Sequence, residues 1–147
     1  MSERFVRPTA VDAVFNSVVG FLTHIGLPLA GSRVLAVRGR SSGEWRTTPV
    51  NPLRVEGILY LVAPRGQTQW VRNLRVAGGG ELRVRGRVTS FRAVEVADVN
   101  KAPILRAYLK AWSWEVGRFF DGVDATSPNE KIAEIAPGFP VFRIDLL

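Results

Sequence analysis

Short extended segments separated by turn-forming residues follow one another from residue 33 to the end of the chain. Each segment is rich in β-branched and aliphatic residues or alternates polar with apolar residues, as half-buried strands do. Glu56-Gly57 is a two-residue hairpin signal, and Pro49 and Pro52 indicate a sheet edge or a bulge. The predicted strands are residues 33–38, 45–55, 58–63, 81–88, 89–96 and 141–146.

The strand at 81–88 alternates most regularly, with Leu82, Val84 and Val88 predicted on one face and Arg83, Arg85 and Arg87 on the other. Apolar residues at helical spacing predict an amphipathic helix over 10–25, and Thr68 is a plausible N-cap for a helix over 69–76. Two further helices are expected at 103–120 and 129–135. Strands in hairpin order with peripheral helices predict a mainly β (α+β) fold, a small antiparallel barrel.

The length of 147 residues favours one domain, with an N-terminal tail and helix at 1–32 and the barrel at 33–147. Positive charge is concentrated in the middle of that barrel. Residues 33–92 carry twelve Arg against three Glu, a net of +9, whereas residues 93–147 carry six basic and eight acidic residues, a net of −2. This distribution predicts a site for an anion: a phosphorylated cofactor, a nucleic acid or a membrane surface. A solvated arginine-rich surface is the alternative.

Side chains that could catalyse a reaction directly are scarce. Cysteine is absent and histidine occurs once, which excludes a cysteine nucleophile and a multi-histidine metal site. The sequence also lacks a phosphate-loop motif and a Gly-x-Gly-x-x-Gly motif. We therefore predict no catalytic side chain and no metal. If the protein is an enzyme, its reactive atoms belong to a cofactor.

Two segments have the composition to hold an anionic cofactor. The first runs from Gly39 to Pro49, where a glycine-bracketed loop could expose successive backbone amides beside Arg40, Arg46 and several hydroxyls. The second runs from Ala63 to Leu74, where a positive loop precedes a helix N-terminus. Trp70 in this second segment could wall a flat ring or fill the core.

These segments, GRSSGEWRTTP and LVAPRGQTQWVRNLR, followed by FRAVEV and VFRIDL, resemble the deazaflavin-dependent nitroreductase family of actinobacteria. The resemblance covers residues 14–145 and is closest to the coenzyme F420-dependent reductase branch. It implies an FMN-binding-like split β-barrel that uses reduced F420, a flavin relative with a phosphorylated oligoglutamate tail.

The resemblance also implies which residues bind the cofactor. It assigns the phosphate and glutamate tail to the first loop, at Arg40, Ser42, Gly43 and Arg46, with Ser41 standing where many members carry Lys or Arg. It assigns the entrance to the ring site to Thr47, Thr48 and Pro49. It assigns the deazaflavin edge to Ala63, Pro64, Arg65 and Gly66, with Gln69 and Trp70 beside it.

The activity implied is hydride transfer from the reduced deazaflavin to an activated double bond or ring of a small apolar substrate. A quinone, an enone lactone of the coumarin type or a nitroaromatic fits that description. Tyr108 and Trp112 lie on the predicted helix that we place near the substrate, although core packing would also explain them. An FMN-dependent split-barrel oxidoreductase and a non-catalytic carrier of F420, a lipid or a tetrapyrrole are the alternatives.

The sequence also bears on nucleic acids and membranes as partners. Aromatic residues do not interleave Arg83, Arg85 and Arg87 as a base-stacking surface would need, so we expect no nucleic-acid partner. Residues 11–29 are too polar and too interrupted to span a membrane, and no signal peptide is apparent. We expect a cytoplasmic protein, with peripheral membrane contact through the N-terminal helix and a homodimer as open alternatives.

Overall fold

The computed structural model describes residues 33–84, 86–116, 119–120 and 122–147, and the side chains of these residues except 113–116. The helix predicted at 10–25, and any membrane contact through it, lie outside the described residues.

Seven strands form one antiparallel sheet in the order β2-β1-β5-β6-β7-β4-β3. Three hairpins, β1–β2, β3–β4 and β5–β6, supply six of these strands, and the last strand of the chain pairs with β6 on one side and β4 on the other. The C-terminal strand therefore joins the two halves of the sheet. The strands are β1 (Arg33–Arg38), β2 (Trp45–Val50), β3 (Leu53–Val55), β4 (Ile58–Val62), β5 (Gly79–Val84), β6 (Arg87–Glu95) and β7 (Val141–Leu146).

Two strand predictions were wrong, each because of a turn. The segment 45–55 is two strands, since Asn51 and Pro52 interrupt the pairing and proline has no amide to donate. The segment 81–88 is not continuous, because Gly86, with φ of 73°, lies in the turn between β5 and β6. Arg83 consequently pairs with Val88, so these two side chains share a face and are not on opposite faces as predicted.

Three α-helices accompany the sheet in the described part of the chain: α1 (Gln69–Ala77), α2 (Ala102–Val116) and α3 (Asn129–Ile135). The α1 helix follows Thr68 and ends where the amide of Gly78, at φ of 73°, donates to the carbonyl of Leu74. The helix predicted at 129–135 is confirmed, because α3 begins and ends at the predicted residues. The described part of α2 ends at Val116, and Phe119 and Phe120 lie outside the helix, which therefore does not reach its predicted end at residue 120.

The core is divided into two clusters by the sheet, because neighbouring residues in a strand point to opposite faces. Leu61 faces the inside of the curled sheet, together with Leu35, Phe91 and Phe142. Val62 faces the other side, where α2 packs against β3 and β4 and α3 packs against α2. The α1 helix closes the inner cluster with Val71 and Leu74. The two segments that the sequence singled out, 39–49 and 63–74, both border this inner cluster.

Candidate functional site

The α1 helix holds the first loop, residues 39–44, in place. The guanidinium of Arg40 donates through Nη1 to Gln69 Oε1 at 2.9 Å and to Asn73 Oδ1 at 2.8 Å. The backbone amide of Arg40 donates to the same Asn73 oxygen at 3.1 Å. Gln69 and Asn73 are one helical turn apart, so both face the loop. The structure thus brings together two residues that the sequence assigned to separate segments, Arg40 and Gln69.

The amides of the first loop are largely engaged within the protein. Gly39 donates to the carbonyl of Glu44 at 2.8 Å, Gly43 donates to the carbonyl of Gly39 at 2.9 Å, and Glu44 donates to Ser42 Oγ at 3.1 Å. With the amide of Arg40 on Asn73, four of the six amides in this loop have partners. Among the described contacts only the successive amides of Ser41 and Ser42 have no partner, so the row of free amides is shorter than the sequence predicted. The loop offers a ligand mainly its side chains.

The second loop, residues 63–68, is shaped by internal hydrogen bonds and by arginines of α1. Gly66 is buried at φ of 87°, a conformation that favours glycine, and its amide donates to the carbonyl of Ala63 at 3.2 Å. Gln67 is buried, and its carbonyl accepts from Arg72 Nε at 3.1 Å. Its side-chain oxygen accepts from Arg75 Nη1. The second loop, like the first, is therefore fixed to α1.

The N-terminus of α1 follows directly on the second loop and has no side-chain cap from Thr68. Thr68 makes no side-chain capping bond, and the first turn of α1 carries no acidic residue. The Thr68 hydroxyl oxygen is buried and has no hydrogen-bond partner among the described residues. Unpaired donors at a helix N-terminus favour anions and carbonyl oxygens. This donor set fits a ligand that is rich in acceptors.

The remaining predicted cofactor residues lie around these loops in different environments. Arg46 is exposed over 61% of its side chain, and its Nη2 is 3.8 Å from Glu44 Oε2. The Arg65 guanidinium lies 4.6 Å from the centroid of the Phe119 ring. Trp70 is half-buried, with its ring 6.0 Å from that of Phe142. Arg46 is thus accessible to a solvent-borne anion, whereas Arg65 is supported by the core.

The three predicted entrance residues do not share one face of β2. Thr48 pairs with Leu35 of β1 and therefore points to the inner side of the sheet, where Leu35 is buried. Thr47 and Pro49 point to the outer side. Only Thr48 is directed toward the inner cluster that α1 closes.

The predicted substrate residues lie in the outer cluster, on the helix side of the sheet. Tyr108 is 2% exposed, with its ring 6.4 Å from that of Phe120, and Trp112 is 6% exposed. Both pack with Leu105 and Leu109 in that cluster. Contact of Tyr108 and Trp112 with a substrate stays a prediction.

Gln67, Asn73 and Arg75 hold the site together. Sequence reasoning did not select Gln67 or Arg75 and did not assign Asn73 to cofactor binding. Helical spacing places Asn73 beside Gln69, but nothing local indicated that Arg40 would reach Asn73 from 33 residues away. Outside both loops, Asp124 accepts hydrogen bonds from the hydroxyl and amide of Thr126, which lower the pKa of its carboxyl group.

None of the described helices is both long enough and apolar enough to cross a membrane. Among the described residues, no group of three His, Cys, Asp or Glu side chains could hold a metal ion.

The chain also matches the model of a known protein family. The family model for F420H(2)-dependent quinone reductase matches residues 11–122. No curated protein sequence matches the chain.

Solved structures share the fold at low sequence identity. One described as a domain-swapped dimer has a TM-score of 0.57 at 13% identity, over 92% of this chain and 93% of that one. An F420-H2-dependent reductase (FDR-A) has a TM-score of 0.53 at 16% identity, over 78% of this chain and 94% of that one. A NimC/NimA family protein from Clostridium acetobutylicum has a TM-score of 0.52 at 14% identity, over 78% of this chain and 73% of that one.

A curled antiparallel sheet, with α1 on its inner side and α2 and α3 on the other, is a split-barrel fold, and the family match makes the protein an oxidoreductase of that fold. The chain belongs to the F420H2-dependent quinone reductase family. Its cofactor is accordingly F420H2, so the FMN alternative is not needed, and the protein is an enzyme and not a carrier.

Proposed function

We propose that the two loops held by α1 bind F420H2 and present it to a small, flat, apolar substrate such as a quinone. The observation that carries this proposal is the contact of Arg40 with Gln69 and Asn73, which joins the two cofactor segments into one site. Reduced F420, when bound, supplies a hydride. The residues of this chain bind and orient the cofactor.

The first loop would bind the anionic end of the cofactor. Arg40 and Arg46 supply positive charge, and Ser41, Ser42 and the Gly43 turn form the rest of the loop. Because most amides of this loop are already engaged, the guanidinium groups and hydroxyls would make the contacts. Arg46 is paired with Glu44 only at 3.8 Å, so it can turn toward a phosphate or a carboxylate with little loss.

The second loop and the start of α1 would bind the ring. Ala63, Pro64 and Gly66 bring the backbone close to the inner cluster, and Gly66 has no side chain to obstruct a ligand. The Thr68 hydroxyl and the first amides of α1 would donate to carbonyl oxygens of the deazaflavin. Arg65, Gln69 and Trp70 would border the ring, and Thr48 would meet it from β2.

The substrate class follows from the apolar surroundings of this site. Trp70 is half-buried against Phe142, which suits a flat ring that stacks without charge. A quinone, an enone lactone and a nitroaromatic share that shape, and each accepts a hydride. We propose a quinone as the first candidate because the family is named for quinone reduction.

The oxidation of F420H2 tests this proposal. The protein is mixed with F420H2 under anaerobic conditions, and the return of the oxidised chromophore is followed after addition of a naphthoquinone, a coumarin or a nitroaromatic. We expect enzyme-dependent oxidation with the quinone and slower oxidation with the others. Oxidation no faster than in the absence of protein, for all three acceptors, would contradict the proposal.

A homodimer is a separate proposal. One solved structure with this fold is described as a domain-swapped dimer, and Val88 and Val94 expose apolar surface on the outer side of β6. Light scattering at several protein concentrations tests it: a mass of one chain throughout would contradict it.

A further inference from the structure

We infer that Asn73 is a positioning residue, which sets the orientation of the Arg40 guanidinium and so determines how tightly the anionic tail of F420 is bound. The inference rests on the proposed function, because it requires Arg40 to contact that tail. The juxtaposition that carries it is one buried amide oxygen shared by the backbone and the side chain of Arg40.

The contacts of Asn73 leave little freedom to Arg40. Asn73 is 5% exposed, and its Oδ1 accepts from the Arg40 amide at 3.1 Å and from Arg40 Nη1 at 2.8 Å. Gln69 Oε1 accepts from the same Nη1 at 2.9 Å. An arginine held at one terminal nitrogen by two amide oxygens keeps its planar group in one direction. Its Nε and Nη2 remain for the two oxygens of a phosphate or a carboxylate.

The chemical nature of this support matters as much as its geometry. Both acceptors are neutral amides, and so they orient the guanidinium without cancelling its charge. A carboxylate in the same place would form an ion pair and compete with an anionic ligand. Arg75, on the same helix, has that arrangement: its guanidinium is paired with Glu95 at 2.7 Å. Arg75 is therefore a charge-neutralised arginine in a supporting role, whereas Arg40, at the predicted tail site, has no ion pair among the described residues.

Asn73→Asp tests the inference directly. The substitution keeps an oxygen acceptor at Arg40 and adds a negative charge. Binding is measured by fluorescence titration with F420 and with a 5-deazaflavin that lacks phosphate and glutamates. We expect the affinity for F420 to fall about tenfold, with the affinity for the tail-less ligand unchanged. A purely structural role of Asn73 would affect both ligands alike.

A matched control is available at Asn129. Its Oδ1 accepts from Arg106 Nη2 at 2.7 Å, so Asn129→Asp makes the same chemical change beside another arginine, outside both loops. We expect this control to bind both ligands as the wild type does. If Asn73→Asp does not fold, Gln69→Glu brings the same charge to Arg40 from an exposed position. Because Gln69 is also proposed to border the ring, we expect this variant to weaken the binding of both ligands, and the binding of F420 more strongly.

The outcomes separate this inference from the proposed function. Arg40→Ala should itself lose F420 affinity and retain the tail-less ligand. If it does so while Asn73→Asp and Gln69→Glu bind F420 as the wild type does, the positioning role is wrong and the proposed function stands. If Arg40→Ala has no effect, the assignment of Arg40 to the tail fails, and the positioning role fails with it.

Discussion

Arg75 and Glu95 form a two-pronged ion pair between α1 and β6, with Nε–Oε1 at 2.8 Å and Nη2–Oε2 at 2.7 Å. The same guanidinium donates to the buried side chain of Gln67. One arginine therefore connects the helix, the sheet and the second loop. The proposed cofactor site is fixed to the barrel through this contact as well as through the apolar face of α1.

We expect Arg75→Ala to lower the free energy of unfolding by about 1–2 kcal/mol, because it breaks a bidentate pair and leaves the buried Gln67 oxygen without its donor. Chemical denaturation measures this loss. Arg143→Ala is the control, since Arg143 pairs only at 3.2 Å with Asp145 of its own strand. Equal losses in the two variants would show that Arg75 has no connecting role.

We expect Arg46→Ala to weaken F420 binding about tenfold without changing stability, since an exposed arginine adds a charge-assisted bond to the tail and little to the fold. Fluorescence titration measures the dissociation constant. Arg54→Ala serves as the control, because Arg54 is an exposed arginine that donates to the carbonyl of Gly57 in another hairpin. The assignment of the tail to the first loop is wrong if both variants bind F420 equally well.

Salt should weaken the binding of F420 strongly and that of a tail-less deazaflavin only slightly. The reason is that the tail interacts with exposed arginines such as Arg46, which mobile ions screen, whereas the ring lies against the second loop. Titrations at several ionic strengths give both slopes. Parallel slopes for the two ligands would mean that the charge of residues 33–92 does not act on the tail.

Gly80→Ala should lower the free energy of unfolding by more than about 2 kcal/mol, because a Cβ at this position would collide with the backbone oxygen of Ala36 in the neighbouring strand. Gly57→Ala is the comparison: its φ is 82°, but a Cβ there meets nothing within 4 Å. We expect Gly57→Ala to lower the free energy of unfolding by about 1 kcal/mol, from backbone strain alone. Thermal or chemical unfolding gives both values, and equal losses would contradict the steric account.

Much of the fold could be predicted because the local signals agree with the tertiary structure. The strand at 33–38, the hairpin turn at Glu56-Gly57 and the helix at 129–135 are where the sequence places them. The errors occur where a turn interrupts a pattern that would also suit a longer element. Alternation through 81–88 continues across Gly86, and periodicity alone cannot show that the chain reverses there.

Some residues of the candidate site could be selected from the sequence, but the contacts between them could not be predicted. Arg40 and Gln69 were selected from separate motifs, and their hydrogen bond depends on how β1, the first loop and α1 pack. The first loop has fewer free amides than the sequence predicted in part for the same reason, since Asn73 accepts from the Arg40 amide across 33 residues of chain. Pairing over such separations is a property of the fold that no local pattern encodes.

The most direct test of the account is a fluorescence titration of the purified protein with F420, beside FMN at the same ionic strength. The account predicts saturable binding of F420 and much weaker binding of FMN, because FMN carries a phosphate but no glutamates for the arginines of the first loop. Tighter binding of FMN than of F420 would contradict the assignment of that loop to the tail. Binding of neither would contradict the assignment of the site.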